Sequence, residues 1–243
     1  MQVIIGLAWI LAVWCGAALC LIGLGGLLRR NGASRRQSTS FWLGLVGCVA
    51  ILQIWQLIMP VAPWGTLLVC GAGVVGLLRD RHRLLRWLTG ACSSRKAELL
   101  LLALIAVVAA YRATGAPRLF DTGLYQYQML RWLADNRIAL GLANVQGQLG
   151  FNTSGLLYAA TYEALGQNVA HHLALGLLTL ALSGSALFAF GRYWRHRGAT
   201  VLDIYMMVVG FVGLYAVVAP SGIHLRDLST DAQADVVLVM AGG

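Results

Sequence analysis

The sequence predicts an all-α polytopic membrane protein: about six complete transmembrane helices, the start of a seventh, and two interfacial helices in one large outer loop. Three observations predict it. The 243-residue chain is 59% hydrophobic and only 11% charged, whereas soluble domains carry roughly 25% charged residues. Its apolar residues fall in long runs that a soluble fold of this size has no interior large enough to hide. Its basic residues concentrate in alternate connections between those runs, as the positive-inside rule expects of a multi-span protein.

The runs cover residues 3–28, 41–59, 61–78, 99–111, 173–191 and 201–219. A spanning helix needs about 20 apolar residues, with a range of about 17–25. The fourth run is short. It spans once Ala97 and Ala113 are included and Arg112 snorkels to the interface. A seventh run begins at Val236 and stops with the sequence at Gly243, so the chain reads as the N-terminal part of a longer polytopic protein. The first run is a retained helix and not a signal peptide: Met1-Gln2 supplies no basic n-region, and the run is longer than an h-region.

Arginine and lysine set the orientation. Arg29, Arg30, Arg35 and Arg36 lie in the first connection, Arg79, Arg81, Arg83, Arg86, Arg95 and Lys96 in the third, and Arg192, Arg195 and Arg197 in the fifth. That side is the cytoplasm, which puts the N-terminus outside. Arg112, Arg118, Arg131, Arg137 and Arg226 fall opposite, as do Asp121, Asp135, Glu163, Asp227, Asp231 and Asp235. The net charge of +9 is therefore read as contact with membrane lipids through anionic headgroups, with no nucleic acid as partner.

Four units follow in order. Residues 1–111 carry four spans, 112–168 an extracytoplasmic loop with amphipathic helices, 169–219 two more spans, and 220–243 a second outer loop and a truncated span. Cys15, Cys20, Cys48 and Cys70 lie in spans and Cys92 in a cytoplasmic connection. This pattern makes neither a disulfide framework nor a ligand set, and it assigns the cysteines to packing. The string "GAGVVG" from Gly71 to Gly76 matches a dinucleotide fingerprint by letter alone. It lies inside an apolar run with no strand before it, so its small residues are expected to serve close helix packing. Asn152-Thr153-Ser154 fits a glycosylation sequon.

The outer loop is too long for a hairpin between spans, and a structured loop on one side of a bilayer is where binding or chemistry concentrates. Asp121 or Thr122 is placed to cap a helix running to about Asn136. Leu124, Tyr127, Leu130 and Leu133 would form its apolar side, with Trp132 and Tyr125 at the membrane interface. Ser154 would cap a second surface helix over residues 155–165, ended near Gly166.

Asp121 leads the catalytic candidates. On a helix Tyr125 and Gln128 would share its face. A carboxylate there can take a proton from an acceptor hydroxyl, orient a sugar, or hold a divalent cation on a phosphate. A plain helix cap is the other role open to it, and the roles are compatible. Asp227, Asp231 and Asp235 recur at intervals of four and would crowd like charge on one helix face, which a cation or Arg226 would relieve; a solvated acidic loop is the alternative. His171 and His172 stand at the outer end of the fifth run and His224 in the second outer loop. Adjacent histidines on a helix are expected to point apart, which leaves them as interface residues. Arg112, Arg118, Arg131 and Arg137 offer planar donor forks to an anion, or anchors at headgroups.

The segment "FDTGLYQYQMLRWLADNRIALGLANVQGQLGFNTSGLLYAA", from Phe120 to Ala160, resembles a family of bacterial polytopic membrane proteins. Their outer loop reads Asp-Thr-Gly-Leu-Tyr-His, then a Trp-containing helix, a Gly-Leu-x-Asn segment and Gly-Phe-Asn-Ser-Ser. That family looks like the C-type glycosyltransferases, multi-span enzymes that take sugars from polyprenyl-phosphate donors. The resemblance implies an acidic catalytic residue near the start of the first large outer loop, where Asp121 stands, and a second acidic position that Asp231 would match. Gln126, Gln146 and Gln148 stand where the pattern commonly has His, His and Arg, which weakens phosphate or metal binding. Asn144 and Asn152 are retained and would bond sugar hydroxyls.

The resulting expectation is an integral protein of the bacterial inner membrane that transfers a sugar from a polyprenyl-phosphate-linked donor in envelope polysaccharide or glycolipid synthesis. Asp121 would be the general base, Arg118 would steady the leaving phosphate, and Tyr125, Gln128, Asn144, Asn152 and Asp231 would contact substrate. Two rival readings belong to other classes. A transporter or flippase for lipid-linked saccharides would carry charges or broken helices at mid-span; here Gln53 and Gln56 are the notable polar residues in the second run. A scaffold subunit for envelope-biosynthesis partners would be inactive alone and would co-purify with a complete transferase.

Overall fold

Apolar runs free of proline fold as helices because a helix satisfies every backbone donor and acceptor internally, which is obligatory in lipid. The computed structural model describes residues 2–29, 37–117, 120–138, 154–198 and 200–218, with Gly141, Asn144, Gly147 and Leu225 besides. Their regular elements are all helical: α1 (Gln2–Leu28), α2 (Gln37–Gln56), α3 (Thr66–Ser94), α4 (Lys96–Ala113), α5 (Tyr127–Asp135), α6 (Ser154–Ala160), α7 (Ala170–His196) and α8 (Val201–Val218). Pro60, Pro63 and Pro117 fall between them. A kinked segment, Val61–Gly65, extended at Ala62 (φ −97°, ψ 141°), leads into α3, a π turn, Thr122–Gln126, leads into α5, and a 3₁₀ turn, Thr161–Leu165, prolongs α6.

Four helical stretches are long and apolar enough to cross a membrane: Val3–Leu28, Thr39–Gln56, Val61–Ser94 and Ala170–Arg195. The other two expected spans are helical but less clear-cut. α4 has 18 residues and includes Lys96, Glu98 and Arg112; in α8 the apolar stretch is Val201–Phe211. The seventh run lies outside the described residues. The third span does not stop at Leu78. α3 continues for 29 residues, about 44 Å, and so outruns a hydrocarbon core of roughly 30 Å. The basic stretch from Arg79 to Arg86, expected as a loop, is its continuation.

α7 is the central rod. Two thirds of its spanning window (67%) is buried, against 11% for α1. α1 packs on α2 and α3, while α4 and α8 pack on α7. Trp14 crosses from α1 to α7: its indole N–H donates to the Leu173 carbonyl at 2.9 Å, and a side chain at Gly176 would collide with its ring. The α1–α3 crossing is closer still. A Cβ at Gly76 would run into the Gly23 carbonyl, and one at Gly73 would lie 2.6 Å from the Cys20 carbonyl oxygen. Without a hydrophobic drive between helices in lipid, such backbone approach and its van der Waals contact supply the attraction. The expected packing role of the glycine string therefore holds for Gly73 and Gly76; Gly71 faces open space.

The two ends of the bundle differ. At one, Arg29 of the α1 terminus is nearly buried (6% exposed) and pairs with Asp80 of α3 at 2.9 Å, and it donates to Ser40 of α2 at 3.0 Å. The same end holds Arg192 paired with Asp203 and Arg195 paired with Glu98. Thr200 and Asp203 form a reciprocal capping box at the start of α8: the Asp203 N–H donates to the Thr200 hydroxyl at 3.2 Å, and the Thr200 N–H donates to the Asp203 carboxylate at 3.3 Å. The other end carries α5, α6 and their turns. Large apolar side chains such as Ile4, Ile54, Leu67, Leu100, Val208 and Phe211 stay exposed between the ends, a contiguous apolar belt of the kind that faces lipid.

Candidate functional site

The outer segment is anchored from beneath by α6. Leu156, Leu157, Tyr158, Ala159 and Ala160 are all buried, none more than 4% exposed. The expected second surface helix is thus an inserted one, packed among α2, α5, α7 and the turn before α3. Its Leu-Leu-Tyr-Ala-Ala string is covered by those neighbours on every side. Hydrogen bonds stitch its rim: the Gln53 side chain donates to the Ser154 hydroxyl at 3.0 Å, the Thr66 hydroxyl to the Thr161 carbonyl at 3.1 Å, and the Ile138 backbone N–H to the Gln56 backbone carbonyl at 3.0 Å. Gln53 and Gln56, the odd polar residues of the second run, stand at this seam. Glu163 accepts from the Asn168 N–H (2.7 Å) and the Ala170 N–H (3.1 Å), satisfying donors at the start of α7 with a carboxylate suited to that helix end.

Within the anchored core Tyr158 and Tyr162 hold their phenol oxygens 2.5 Å apart, with their rings edge to face at 5.4 Å. Burial first, then the neighbouring phenol, pushes Tyr158 well above the ordinary tyrosine range; burial also raises Tyr162, against the opposing hydrogen bond from Tyr158.

With Phe120 already helical, Asp121 lies in the helical stretch before α5. Its backbone is already helical (φ −62°, ψ −32°), and it makes no side-chain capping bond. The expected cap is therefore not formed: an N-cap needs an extended backbone to turn its carboxylate back onto the helix. The side chain is exposed instead, as is that of Gln128, with Tyr125 between them half-buried. Phe120 beside it is 77% exposed. Asp121, Tyr125 and Gln128 thus line one outward side of the segment.

The inward side differs from expectation. Leu130 is buried as expected, and Tyr127 and Leu133 are partly so, but Leu124 is 47% exposed. The buried positions are Thr122, Gln126, Met129, Leu130 and Ala134. A π turn precedes α5: the Tyr127 N–H bonds to the Thr122 carbonyl across five residues. Thr122 and Gln126, four apart, share the inward face. There the Thr122 hydroxyl donates to the Gln126 side-chain oxygen at 2.9 Å. Gln126 is 4% exposed and lies behind the Asp121 face. π turns recur at functional sites. The signal in the sequence is weak: Gly123 and two polar residues four apart.

His171 and His172 begin α7 beneath this segment. Contrary to expectation their rings do not point apart; the centroids lie 3.7 Å from each other at 41°. In the first turn of a helix no preceding turn holds them apart. His172 donates from Nδ1 to the Ala113 carbonyl at 2.5 Å, tying α7 to the end of α4. His171 is 7% exposed, its Nδ1 has no hydrogen-bond partner, and its ring meets the Tyr127 ring edge to face at 5.4 Å.

Asn144 is exposed, and its N–H donates to the Gly141 carbonyl at 2.9 Å, with Gly141 at φ +83°. Arg118, Asn152 and Asp231 lie outside the described residues, as do Gln146, Gln148, Asp227, Asp235 and His224. Among the described residues no three His, Cys, Asp or Glu side chains are grouped to hold a metal ion. A divalent cation at Asp121 would need ligands from beyond them. What this face offers by itself is one solvated carboxylate beside a phenol and an amide, on a segment braced from below. That suits proton acceptance and hydrogen bonding to hydroxyl groups.

No curated protein and no solved structure matches the chain. A family model does, over residues 7–222, and its description is a domain of unknown function (DUF8201). That match takes in α2 to α8 whole, so the chain belongs to the DUF8201 family.

Proposed function

We infer that the protein is an integral-membrane glycosyltransferase-like protein acting on the extracytoplasmic face of a bacterial inner membrane. In this reading α1, α2, α3, α4, α7 and α8 all span, the arginine-rich end faces the cytoplasm, and the N-terminus lies outside. A polyprenyl-phosphate-linked sugar lies with its tail against the apolar belt and its phosphate at the outer interface, near Arg118. Asp121 accepts the proton of the acceptor hydroxyl as that oxygen attacks the anomeric carbon, and the lipid phosphate leaves. Tyr125 and Gln128 bond the sugar or acceptor, with Asn144, Asn152 and Asp231 contributing from outside the segment.

One observation carries the reading. Asp121 is exposed, makes no capping bond, and sits on a segment whose opposite side is fully buried. The resemblance of residues 120–160 to the C-type transferases supports the same role. Sugar transfer from a labelled polyprenyl-phosphate donor in membranes tests it. Asp121→Asn keeps the shape and removes the base, so transfer should fall by about 100-fold or more. Wild-type transfer by a folded Asp121→Asn variant removes Asp121 from the mechanism. Labelled donor crossing proteoliposomes with no covalent transfer by the wild type replaces the enzyme with a transporter.

A further inference from the structure

A second site lies at the arginine-rich end, independent of Asp121. A groove of about 360 Å³ opens between α1, α2, α3, α4 and α7. Its walls are apolar, with Ile22, Trp42, Trp87, Leu177, Leu180 and Phe188 among them, and Arg95 and Arg192 are its charged lining residues. The Trp87 and Phe188 rings meet edge to face at 6.2 Å, and the Trp42 N–H reaches the Ser185 hydroxyl at 3.4 Å.

The charges here do not balance. Arg192 is paired with Asp203 and Arg195 with Glu98. Arg95, at the break between α3 and α4, has no carboxylate within ion-pair distance among the described residues. Its guanidinium lies 5.6 Å from the centre of the Phe188 ring, a cation–π contact that does not itself consume its N–H donors. Burial first, then the charges of Arg195 and Arg192, hold Arg95 below the usual arginine range, with Glu98 opposing. One positive charge in excess, at an apolar groove sized for a small ligand, calls for one anion carrying a hydrocarbon chain.

We propose that this groove is a specific site for an anionic phospholipid, whose phosphate is bound by Arg95 and Arg192 and whose chain lies along Trp87, Trp42 and Leu177. Charge complementarity selects the headgroup, and the apolar walls select a lipid over a free phosphate. A planar guanidinium donates two parallel bonds to phosphate oxygens, and Arg192 keeps donor capacity beyond its bond to Asp203.

Tryptophan quenching tests the site. The full chain is placed in phosphatidylcholine nanodiscs containing a rising fraction of brominated phosphatidylglycerol. The signal from Trp87 is taken as the difference between wild type and Trp87→Phe. Saturable quenching by brominated phosphatidylglycerol is expected, with brominated phosphatidylcholine quenching weakly and linearly. Arg95→Gln should raise the half-saturating fraction by about tenfold or more, while Arg95→Lys, which keeps the charge but loses the planar donor fork, should fall between the two and guards against a folding defect. Equal quenching by both lipids overturns the proposal, as does an unchanged curve for Arg95→Gln. Competition by millimolar inorganic phosphate would make this a free-anion site and overturn the lipid assignment.

Discussion

The Arg192–Asp203 contact gives the sharpest stability test. Asp203 is 4% exposed. Its carboxylate accepts from Nε of Arg192 at 3.1 Å and from the Thr200 hydroxyl at 2.8 Å, and it closes the capping box of α8. Asp203→Ala removes two things at once. Loss of the cap costs about 1 kcal/mol. Arg192, with its side chain 22% exposed, is left without its partner, which costs about 3 kcal/mol when the charge is buried. The sum is about 4 kcal/mol, or a drop in Tm of roughly 10 °C for a chain of this length. Asp203→Asn keeps an oxygen for the cap and removes the charge, so it should lose about 3 kcal/mol. Arg192→Met combined with Asp203→Leu should recover part of the loss, since neither charge is then stranded. The assay is thermal unfolding of the detergent-solubilised chain. If Asp203→Ala lost less than about 1 kcal/mol, or if the double variant lost the full sum of the singles, the buried-pair reasoning would be wrong.

Two further outcomes are expected. Gly76→Leu should separate α1 from α3 and cost about 3 kcal/mol, while Gly71→Leu, facing open space, should be close to neutral; equal losses in thermal unfolding would refute the close crossing. Tyr158 and Tyr162 are raised in the folded state, so their contribution is intact below the unfolded tyrosine pKa of about 10. As pH rises past about 10 the unfolded chain releases protons that the folded chain keeps, and stability falls. The Tyr158→Phe, Tyr162→Phe double variant should show a flatter decline of Tm above pH about 10; an identical slope would place the alkaline sensitivity elsewhere.

The site was partly legible in the sequence. Asp121 lies in a helical stretch with Tyr125 and Gln128 on its outward side, as the spacing implies. The side of the segment turned to the core was misread because only apolar letters were counted towards it: Thr122 and Gln126 are buried by hydrogen-bonding each other, while Leu124 is left 47% exposed. The histidine pair was misjudged for another reason: ring direction depends on place within a helix, and His171 and His172 occupy the first turn of α7.

Helix content, the positions of the apolar rods and the segregation of arginine to one end follow from local composition, since backbone satisfaction in an apolar medium leaves a chain of this kind no alternative to helix. Tertiary structure alone decided which face of each rod meets a neighbour. It buried α6, whose Leu-Leu-Tyr-Ala-Ala string reads equally well as a surface helix. It matched Gly73 and Gly76 with Gly23 across α1, and it left Arg95 as the arginine without a carboxylate beside Arg192 and Arg195. Those outcomes depend on contacts between residues far apart in the chain. Periodicity records only that a face is apolar; whether lipid or another helix covers it is settled by backbone approach and packing across the bundle.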